Sequence, residues 1–559
     1  MNHRRWKILP PPPAACLAGM GVPPLVAQLL YNRSITEPQQ AEAFLNIEDS
    51  LQGDPFLLPD MDKAVARIYR ALLSGEIIAV YGDYDADGVC GTATLIKGLS
   101  HLGGKVIPYL THRLQDGYGL NLDSLEDLRK QGATLVITVD CGISNISEVE
   151  HAQKRGLDII VTDHHSITHG LPPALAVINP KRTDPSYPFY QLAGVGVAFK
   201  LLQALFQALG RKDHLDELLD LVAIGTVADM VPLVGENRYL VEKGLDILGR
   251  TSCIGLQEMA YIAGLELSDL NPEIISWAIT PRLNAPGRVD HALISYRLLV
   301  TDSPDEARYL AEELERKNTQ RQKLTKEFLA RARGQLPADV ADSPLIMVGG
   351  KDYPSGIVGL IAGRLSDEFY RPAFVFEMGD NTISGSARSI PEFDVVSALQ
   401  ECRHLLLRFG GHPTAAGFAL PAENLEYFQQ CLLDMATRQL SSVDLRPSLT
   451  VEADIPLSSI QGRTFKLVER LAPFGRGNPV PALLSRRVRV LDSYTVGGGS
   501  QHLKMKVRDG EITWKALGFD LGHLAAEVTS EIDVVYNLAV DRWNGEEMLA
   551  LNILDFAPA

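Results

Sequence analysis

The sequence predicts an α/β protein: a doubly wound parallel sheet, a long connecting helix, a smaller α/β domain and a C-terminal β-barrel. Three observations predict it. From about Met61 to Pro232, apolar runs of strand length alternate with helical stretches, the pattern of βαβ units in a parallel sheet. Ser303-Pro304-Asp305-Glu306 opens a long helical pattern with a capping serine, a proline in the first turn and two acids suited to the helix dipole. After Val443 the texture changes to short strands separated by turns.

Taken in order, residues 1–60 read as an N-terminal extension and 61–235 as the first domain. Strand 77–81 leads to a helix over Val89–Leu102, and strand 106–110 follows. A helix at Leu122–Gln131, strand 135–139, a helix at Ile146–Lys154 and strand 159–162 continue the alternation. A short strand at Ala174–Ile178 and helices at Val195–Leu209 and Leu215–Val227 complete it. Residues 236–335 read as a helical region ending in the connector, which at 1.5 Å per residue reaches about 45 Å and bridges domains. In 336–442, strand Leu345–Val348, a helix from Ser355, strands Ala373–Glu377 and Thr382–Ala387, a helix over Val395–Leu407 and strand Gly417–Leu420 make the second α/β domain. Five or six strands in 443–559, with one helical insert near Phe465–Leu471, fit a small barrel of the OB type.

A chain of 559 residues exceeds one core. Its net charge of −16 excludes a uniformly basic nucleic-acid coat but not a local basic groove. Cys16, Cys90, Cys141, Cys253, Cys402 and Cys431 are scattered without a Cys-x-x-Cys pair, and read as reduced thiols of a cytoplasmic protein. Arg4, Arg5 and Lys7 precede apolar residues, but Pro10 to Pro13 break any signal-peptide core at once. No run approaches the ~20 apolar residues of a membrane span.

The chemistry sits where strands end. Ile77-Ile78-Ala79-Val80-Tyr81 delivers Asp83-Tyr84-Asp85-Ala86-Asp87-Gly88, Leu135–Val139 delivers Asp140, and Asp158–Thr162 delivers Asp163-His164-His165. In an open parallel sheet these loops converge on one crevice. A buried crowd of acids demands a cation, and oxygen ligands with one or two imidazoles suit Mn²⁺ or Mg²⁺. The Asp-x-Asp-x-Asp-Gly run is not a calcium loop, because Thr94 stands where that loop needs glutamate and a strand, not a helix, precedes it. Asp229, ending the apolar run Leu221–Ala228, needs a partner that a metal supplies. In the second domain, Gly385-Ser386-Ala387-Arg388-Ser389, Gly410-Gly411-His412-Pro413 and the helix start at Ser355-Gly356 offer close backbone approach and phosphate donors. Arg113, Arg282 and Arg288 fall in loops that line the same cleft.

These segments, with Val227-Ala228-Asp229-Met230-Val231-Pro232 and Ser355-Gly356-Ile357-Val358-Gly359, together resemble the DHH phosphoesterase superfamily. In length, motif order and C-terminal β domain the chain is similar to its bacterial single-stranded-DNA exonuclease family. The resemblance implies a DHH catalytic domain, a DHHA1-type second domain and an OB-fold that helps close a ring around the strand. It implies a cytoplasmic monomer hydrolysing single-stranded DNA 5′→3′ to 5′-nucleotides in recombination and repair. Single-stranded-DNA-binding protein and a DNA helicase are the implied partners. Carried over, the pattern makes Asp83, Asp85, Asp87, Asp140, His164 and Asp229 ligands of two Mn²⁺ or Mg²⁺ ions, with His165 on the scissile phosphate. Many members carry histidine where Tyr81 stands, so Asp83 is expected to supply that ligand. Arg388, Ser386, His412 and Ser355 are assigned to phosphates, and Arg113 and Arg282 to a 5′-end pocket. Basic and aromatic residues of the barrel (Arg486, Arg487, Lys504, Lys506, Tyr494 and Trp514) are candidates for the strand-holding face. Two alternatives stay open: a phosphodiesterase of short oligonucleotides or cyclic dinucleotides, and a non-catalytic replication scaffold.

Overall fold

A computed structural model describes residues 4–14, 19–47, 52–113, 119–168, 170–184, 187–211, 213–337, 339–340, 343–460, 462–543 and 546–559. They form two compact units, one of 54–231 with 243–445, the other of 1–53, 232–242 and 446–559.

In the first unit, five parallel strands lie in the order Lys105–Leu110, Ile77–Gly82, Ala133–Val139, Asp158–Thr162, Ala176–Ile178. Strand 77–82 has five consecutive buried residues, as a strand covered on both faces must. One face carries helices Leu122–Lys130 and Ile146–Lys154, whose Leu125, Leu128, Val149 and Ala152 pack on Ala79, Val136 and Ile159. Helices Ala86–His101, Gly194–Ala208 and Leu219–Ala228, buried almost all round, pack against one another.

The second α/β domain has a five-stranded sheet in the order Arg408–His412, Ala415–Pro421, Thr382–Arg388, Ala373–Met378, Ile346–Gly350. The connector runs from Pro304 to Gln335, capped by Ser303 Oγ accepting from Glu306 N at 3.3 Å. Its early residues Ala307, Leu310, Ala311 and Leu314 pack on the preceding helices, whereas Phe328 and Ala332 join the second domain's core with Ile346, Val348 and Ile357. The bridging role read from its sparse apolar stripe is thus physical: each end is buried in a different core.

Three readings change. Arg282 and Arg288 lie on a helix, Thr280–Val289, not in loops; Pro281 occupies its first turn, and neighbouring helices enforce the rest despite Pro286. Helix 395–407 stops at Glu401, and Arg408–His412 turns into an edge strand. Cys402 and Cys431 are joined as a disulfide, with Cα atoms 6.6 Å apart, because helix Leu425–Leu440 packs back across the sheet. Cys90, Cys141 and Cys253 are buried free thiols, and Cys16 lies outside the described residues.

The second unit is a closed barrel. Strand Leu483–Val496 pairs with His502–Asp509 on one side and Glu531–Trp543 on the other, and Ile512–Gly518 and Glu546–Pro558 complete the circuit. Closure pairs each of these five strands on both sides. The N-terminal residues are part of this unit: strand Arg5–Ile8 pairs in parallel with Ser448–Val451, and Val26, Leu29, Leu30 and Ala41 pack on Val468 and Leu471. Trp514 is buried in the barrel core, so it is not a stacking platform, and Arg486 is held by Asp454 at 2.7 Å and Asp533 at 3.2 Å. Lys504, Lys506 and Tyr494 stay exposed, with Tyr494 directly opposite Lys504. No helix among the described residues is long and apolar enough to cross a membrane.

The fully buried Arg238 staples this unit. Its guanidinium donates to the carbonyls of Leu471 (2.7 Å), Phe44 and Arg470 (both 3.3 Å) and lies 4.0 Å from the centre of the Phe44 ring. Arg238→Ala should therefore cost about 3 kcal/mol or more, since it removes several hydrogen bonds together and leaves a cavity where a large buried side chain stood. Thermal unfolding of the variant checks this; a melting curve like that of the parent would show that the carbonyls find other donors.

Candidate active site

The sheet order reverses at strand 77–82, flanked by 105–110 on one side and 133–139 on the other. Chain leaving these neighbouring strands opens the crevice where ligands of such sheets bind. Asp83 and Asp85 follow the first strand, Asp140 the second, and Asp163-His164-His165 the next. The result is three overlapping groups whose ligand-type atoms lie within 4.8 Å of one another: Asp83, Asp85 and Asp140; Asp140, His164 and His165; Asp87, His164 and Asp229. All six residues expected to hold metal are thereby brought together.

Each is held by its own local structure. Asp85 Oδ1 caps helix 86–101, accepting from the amides of Asp87 (3.0 Å) and Gly88 (3.1 Å). Asp87 is therefore in the first helical turn rather than on an extended segment, and its oxygens accept from Gly194 N (2.7 Å) and Val195 N (2.8 Å) at the start of helix 194–208. Asp83 accepts from Thr111 Oγ1 at 3.0 Å. Asp140 sits in the left-handed region at φ 60°, a strain typical of functional positions. Asp229 is the C-cap of helix 219–228. His164 Nε2 points between Asp140 Oδ1 (3.0 Å) and Asp229 Oδ2 (3.5 Å), while its ring also bonds the Leu192 backbone. That second bond fixes the ring as metal-binding histidines require.

The electrostatics are those of a site built for cations. Burial, then the charge of Asp85, pushes Asp83 up to about 7. Burial and the neighbouring acids raise Asp87 and Asp140 well above the ordinary carboxylate range. Such carboxylates cannot all stay ionised without positive charge among them. Burial, then His165, holds His164 down to about 3, leaving a neutral nitrogen free to donate its lone pair. The donor set, five carboxylates with imidazole, fits Mn²⁺ or Mg²⁺.

Two residues that the sequence reading left out of the site stand out. Asp163 is fully buried and orients the loop: it accepts from the amides of His164 (2.7 Å), His165 (3.0 Å) and Ile143 (2.9 Å), and holds His165 Nδ1 at 2.8 Å. Although burial opposes it, that bond to Asp163 keeps the His165 pKa above its usual value. Lys181, half-buried, feels Asp229, Asp163 and Asp140, and its amide is tied to Asn179, which in turn grips the His165 carbonyl at 2.9 Å. Tyr81 is not at the acids: its hydroxyl lies 3.2 Å from the Gly119 carbonyl and 3.1 Å from Ser124 Oγ.

Helix 280–289 links this centre to the second domain. Asn284 Oδ1 accepts from Ala86 N at 2.8 Å, and Gly287 lies so close to Tyr84 that a Cβ would meet its carbonyl oxygen at 2.7 Å. Arg288 donates to Gly356 O at 3.3 Å, where Ser355 opens helix Ser355–Phe369. Burial, then the charges of Arg113, Arg321 and Arg388, lowers Arg288 to about 9. Arg113 lies over the Tyr84 ring at 5.3 Å. Arg388 and Ser386 line Gly359 of helix 355–369. None of Arg113, Arg288, Arg321 and Arg388 has a carboxylate within 4 Å among the described residues. Arg282, by contrast, is paired with Glu315 of the connector at 2.6 Å and is not part of this set. On the sheet, Arg388, Ala415 and His412 are directly opposite one another, as are Ser386, Gly417 and Gly410. Opposed residues share a face, so Ala415 stands between Arg388 and His412, which lie about 10 Å apart across two interstrand spacings, and Gly417 and Gly410 continue the neighbouring row from Ser386.

The chain matches family models of the DHH N-terminal domain over residues 77–226, the DHHA1 domain over 342–437 and the RecJ OB domain over 451–555. The single-stranded-DNA-specific exonuclease RecJ of Bacillus subtilis is 36% identical over 100% of this chain and 71% of its own length. That of Escherichia coli is 33% identical, with 96% of each chain covered. The chain belongs to the RecJ family. The crystal structure of RecJ in complex with Mn²⁺ from Thermus thermophilus superposes with a TM-score of 0.86 at 31% identity, covering 99% of this chain and 80% of that one. A second structure of the same protein contains Mg²⁺. Like them, this chain is a metal-dependent exonuclease, and Mn²⁺ and Mg²⁺ are the cations its donor set fits.

Asp140→Asn, chosen because asparagine tolerates the left-handed backbone, should abolish hydrolysis and lower Mn²⁺ binding without lowering the melting temperature. Turnover near that of the parent at saturating Mn²⁺ would remove Asp140 from the centre. His165→Ala should lower turnover by roughly 10²- to 10⁴-fold while bound metal, read by calorimetry, stays near normal. The opposite pattern would exchange the roles of His164 and His165.

Proposed function

We propose that this chain degrades single-stranded DNA from its 5′ end, releasing 5′-nucleotides, with the terminal phosphate held by the arginine set and the scissile bond at the acid cluster. The observation that carries this is the pairing of two opposite charge environments: buried acids in excess, and, joined to them through helix 280–289, four arginines without acidic partners. Unpaired buried guanidinium groups demand an anion.

Asp83, Asp85, Asp87, Asp140, His164 and Asp229 hold two cations, which when bound supply an acidified water and neutralise charge on the phosphoryl group. Asp163 fixes the His165 tautomer, so that Nδ1 is occupied and Nε2 is presented to the phosphate. Arg388, Ser386, Arg113 and Arg288 bind the 5′ phosphate, with Ser355 at the helix start beside them, and the sheet face carrying Gly417, Gly410 and His412 receives the terminal nucleotide. Helix 280–289 sets the distance between pocket and acids, and this rigid spacing positions only the terminal linkage. Lys504, Lys506 and Tyr494 on the barrel hold the trailing strand through backbone charge and stacking. Single-stranded-DNA-binding protein and a helicase fit such an enzyme as partners.

Digestion of 5′-labelled and 3′-labelled single strands with Mn²⁺ tests the polarity. Label should leave the 5′-labelled strand at once as mononucleotide, and first release from the 3′-labelled end would reverse the reading. Arg388→Ala and Arg288→Ala should each raise KM most for strands with a 5′ phosphate. Removing residues after Val443 is a poor test of the barrel, since Arg5–Ile8 and helix Pro24–Asn32 would lose the residues they pack on. Lys504→Glu with Lys506→Glu should instead weaken binding of long strands while sparing cleavage of short oligonucleotides, and flatten a salt slope of roughly −0.7 per phosphate contact. Equal affinity for long strands would leave their grip to the two α/β domains.

A further inference from the structure

Helix Ala86–His101 carries Asp87 in its first turn and His101 as its last residue, roughly 20 Å apart at 1.5 Å per residue. At that far end, His101 Nε2 lies 3.1 Å from Asp213 Oδ2, and the rings of His101 and His214 are 4.0 Å apart. One ligand-type atom from each of His101, Asp213 and His214 falls within 4.8 Å of the others. Ligands bound at about 2.0–2.1 Å around a tetrahedral ion stand roughly 3.3–3.4 Å apart, close to the His101–Asp213 spacing.

A second observation points to a cation here. Arg211 Nη2 also reaches His101 Nε2, at 2.9 Å, while binding Asp213 Oδ2 at 2.7 Å. A protonated Nε2 suits Asp213 and repels Arg211; a lone pair suits Arg211 and repels Asp213. A divalent ion satisfies the lone pair and the carboxylate together, and Arg211, with its side chain 39% exposed, has solvent to swing into. His214 Nδ1 meets Glu217 Oε1 at 3.2 Å, the carboxylate–histidine pairing that leaves Nε2 for a metal. Beside them lies a cavity of about 140 Å³ lined by Lys97, His101, His214, Glu217, Asp220 and Cys253, room enough for a coordinated water.

We propose that His101, Asp213 and His214 form a separate metal site for a zinc-class transition ion, with Glu217 orienting His214 and water as the fourth ligand. Two imidazoles with one carboxylate favour Zn²⁺, Co²⁺ or Ni²⁺, whereas the oxygen-rich catalytic centre suits Mn²⁺ and Mg²⁺. The ion would clamp the end of helix 86–101 to the segment leading into helix 219–228, tying together at their far ends the two helices that present Asp87 and Asp229.

Co²⁺ titration of the full-length protein, followed by calorimetry and visible absorption, tests this. The parent should bind one equivalent more than His101→Ala or His214→Ala, and only the parent should show the intense absorption of a four-coordinate ion. Mn²⁺-dependent exonuclease turnover should stay within about twofold in both variants, as for surface changes away from the chemistry. Arg211→Ala should tighten the additional site by roughly thirtyfold, the effect of removing one unit charge ~4 Å from a dication near solvent. Equal Co²⁺ stoichiometry and spectra in the parent and His101→Ala would overturn the proposal.

Discussion

Mutual repulsion among buried carboxylates is the constraint around which this protein is organised. Asp83, Asp87 and Asp140 are all but inaccessible to solvent, and burial, together with neighbouring acids that include Asp85 in every case, raises the cost of ionising each. An acid cluster of this kind destabilises the fold unless other elements hold it. The structure supplies them: helix 194–208 turns its first amides onto Asp87, Asp85 caps helix 86–101, and Thr111 supports Asp83. The remaining deficit of positive charge is what divalent cations fill.

Opposite charge is kept close but separate. A chain with a net charge of −16 does not attract DNA as a whole, so recognition depends on where the unpaired cations lie. Many arginines here are neutralised by partners, as Arg67 is by Glu76 and Asp158, or Arg282 by Glu315. Arg113, Arg288, Arg321 and Arg388 have no carboxylate partner among the described residues, and burial with the charge of neighbouring arginines lowers Arg288 and Arg388. The same short helix touches both charge sets: Asn284 grips the start of helix 86–101 and Arg288 the start of helix 355–369. The spacing between these arginines and the acids is thus set by one helix rather than by a flexible loop.

Much of this was legible in the chain. The parallel sheet, the connector and the barrel follow from local periodicity and capping, which short stretches of sequence carry by themselves. Asp83, Asp85 and Asp140 were legible because they follow apolar strands, whose ends a parallel sheet sends to one edge, and Asp229 because it ends an apolar run. The resemblance also assigned Arg388, Ser386 and His412 to phosphates, and strand register sets Arg388 and His412 in one row of the second sheet.

Pairings between distant segments were decided only by the tertiary structure. Arg282 and Arg288 are six positions apart on one helix, yet one is neutralised by Glu315 and the other faces three arginines, a difference set by what packs on each side. Trp514 reads as a surface aromatic until barrel closure buries it, and Cys402 reads as a lone thiol until helix 425–440 brings Cys431 beside it. The role of Asp163 likewise depends on where its oxygens end, on three amides and an imidazole rather than on a metal. Sequence by itself determined which segments form elements and what chemistry they carry to the sheet edge, because those are properties of neighbouring residues. Which charges remain unpaired is a property of the whole packing, since a side chain's partner is chosen by three-dimensional proximity.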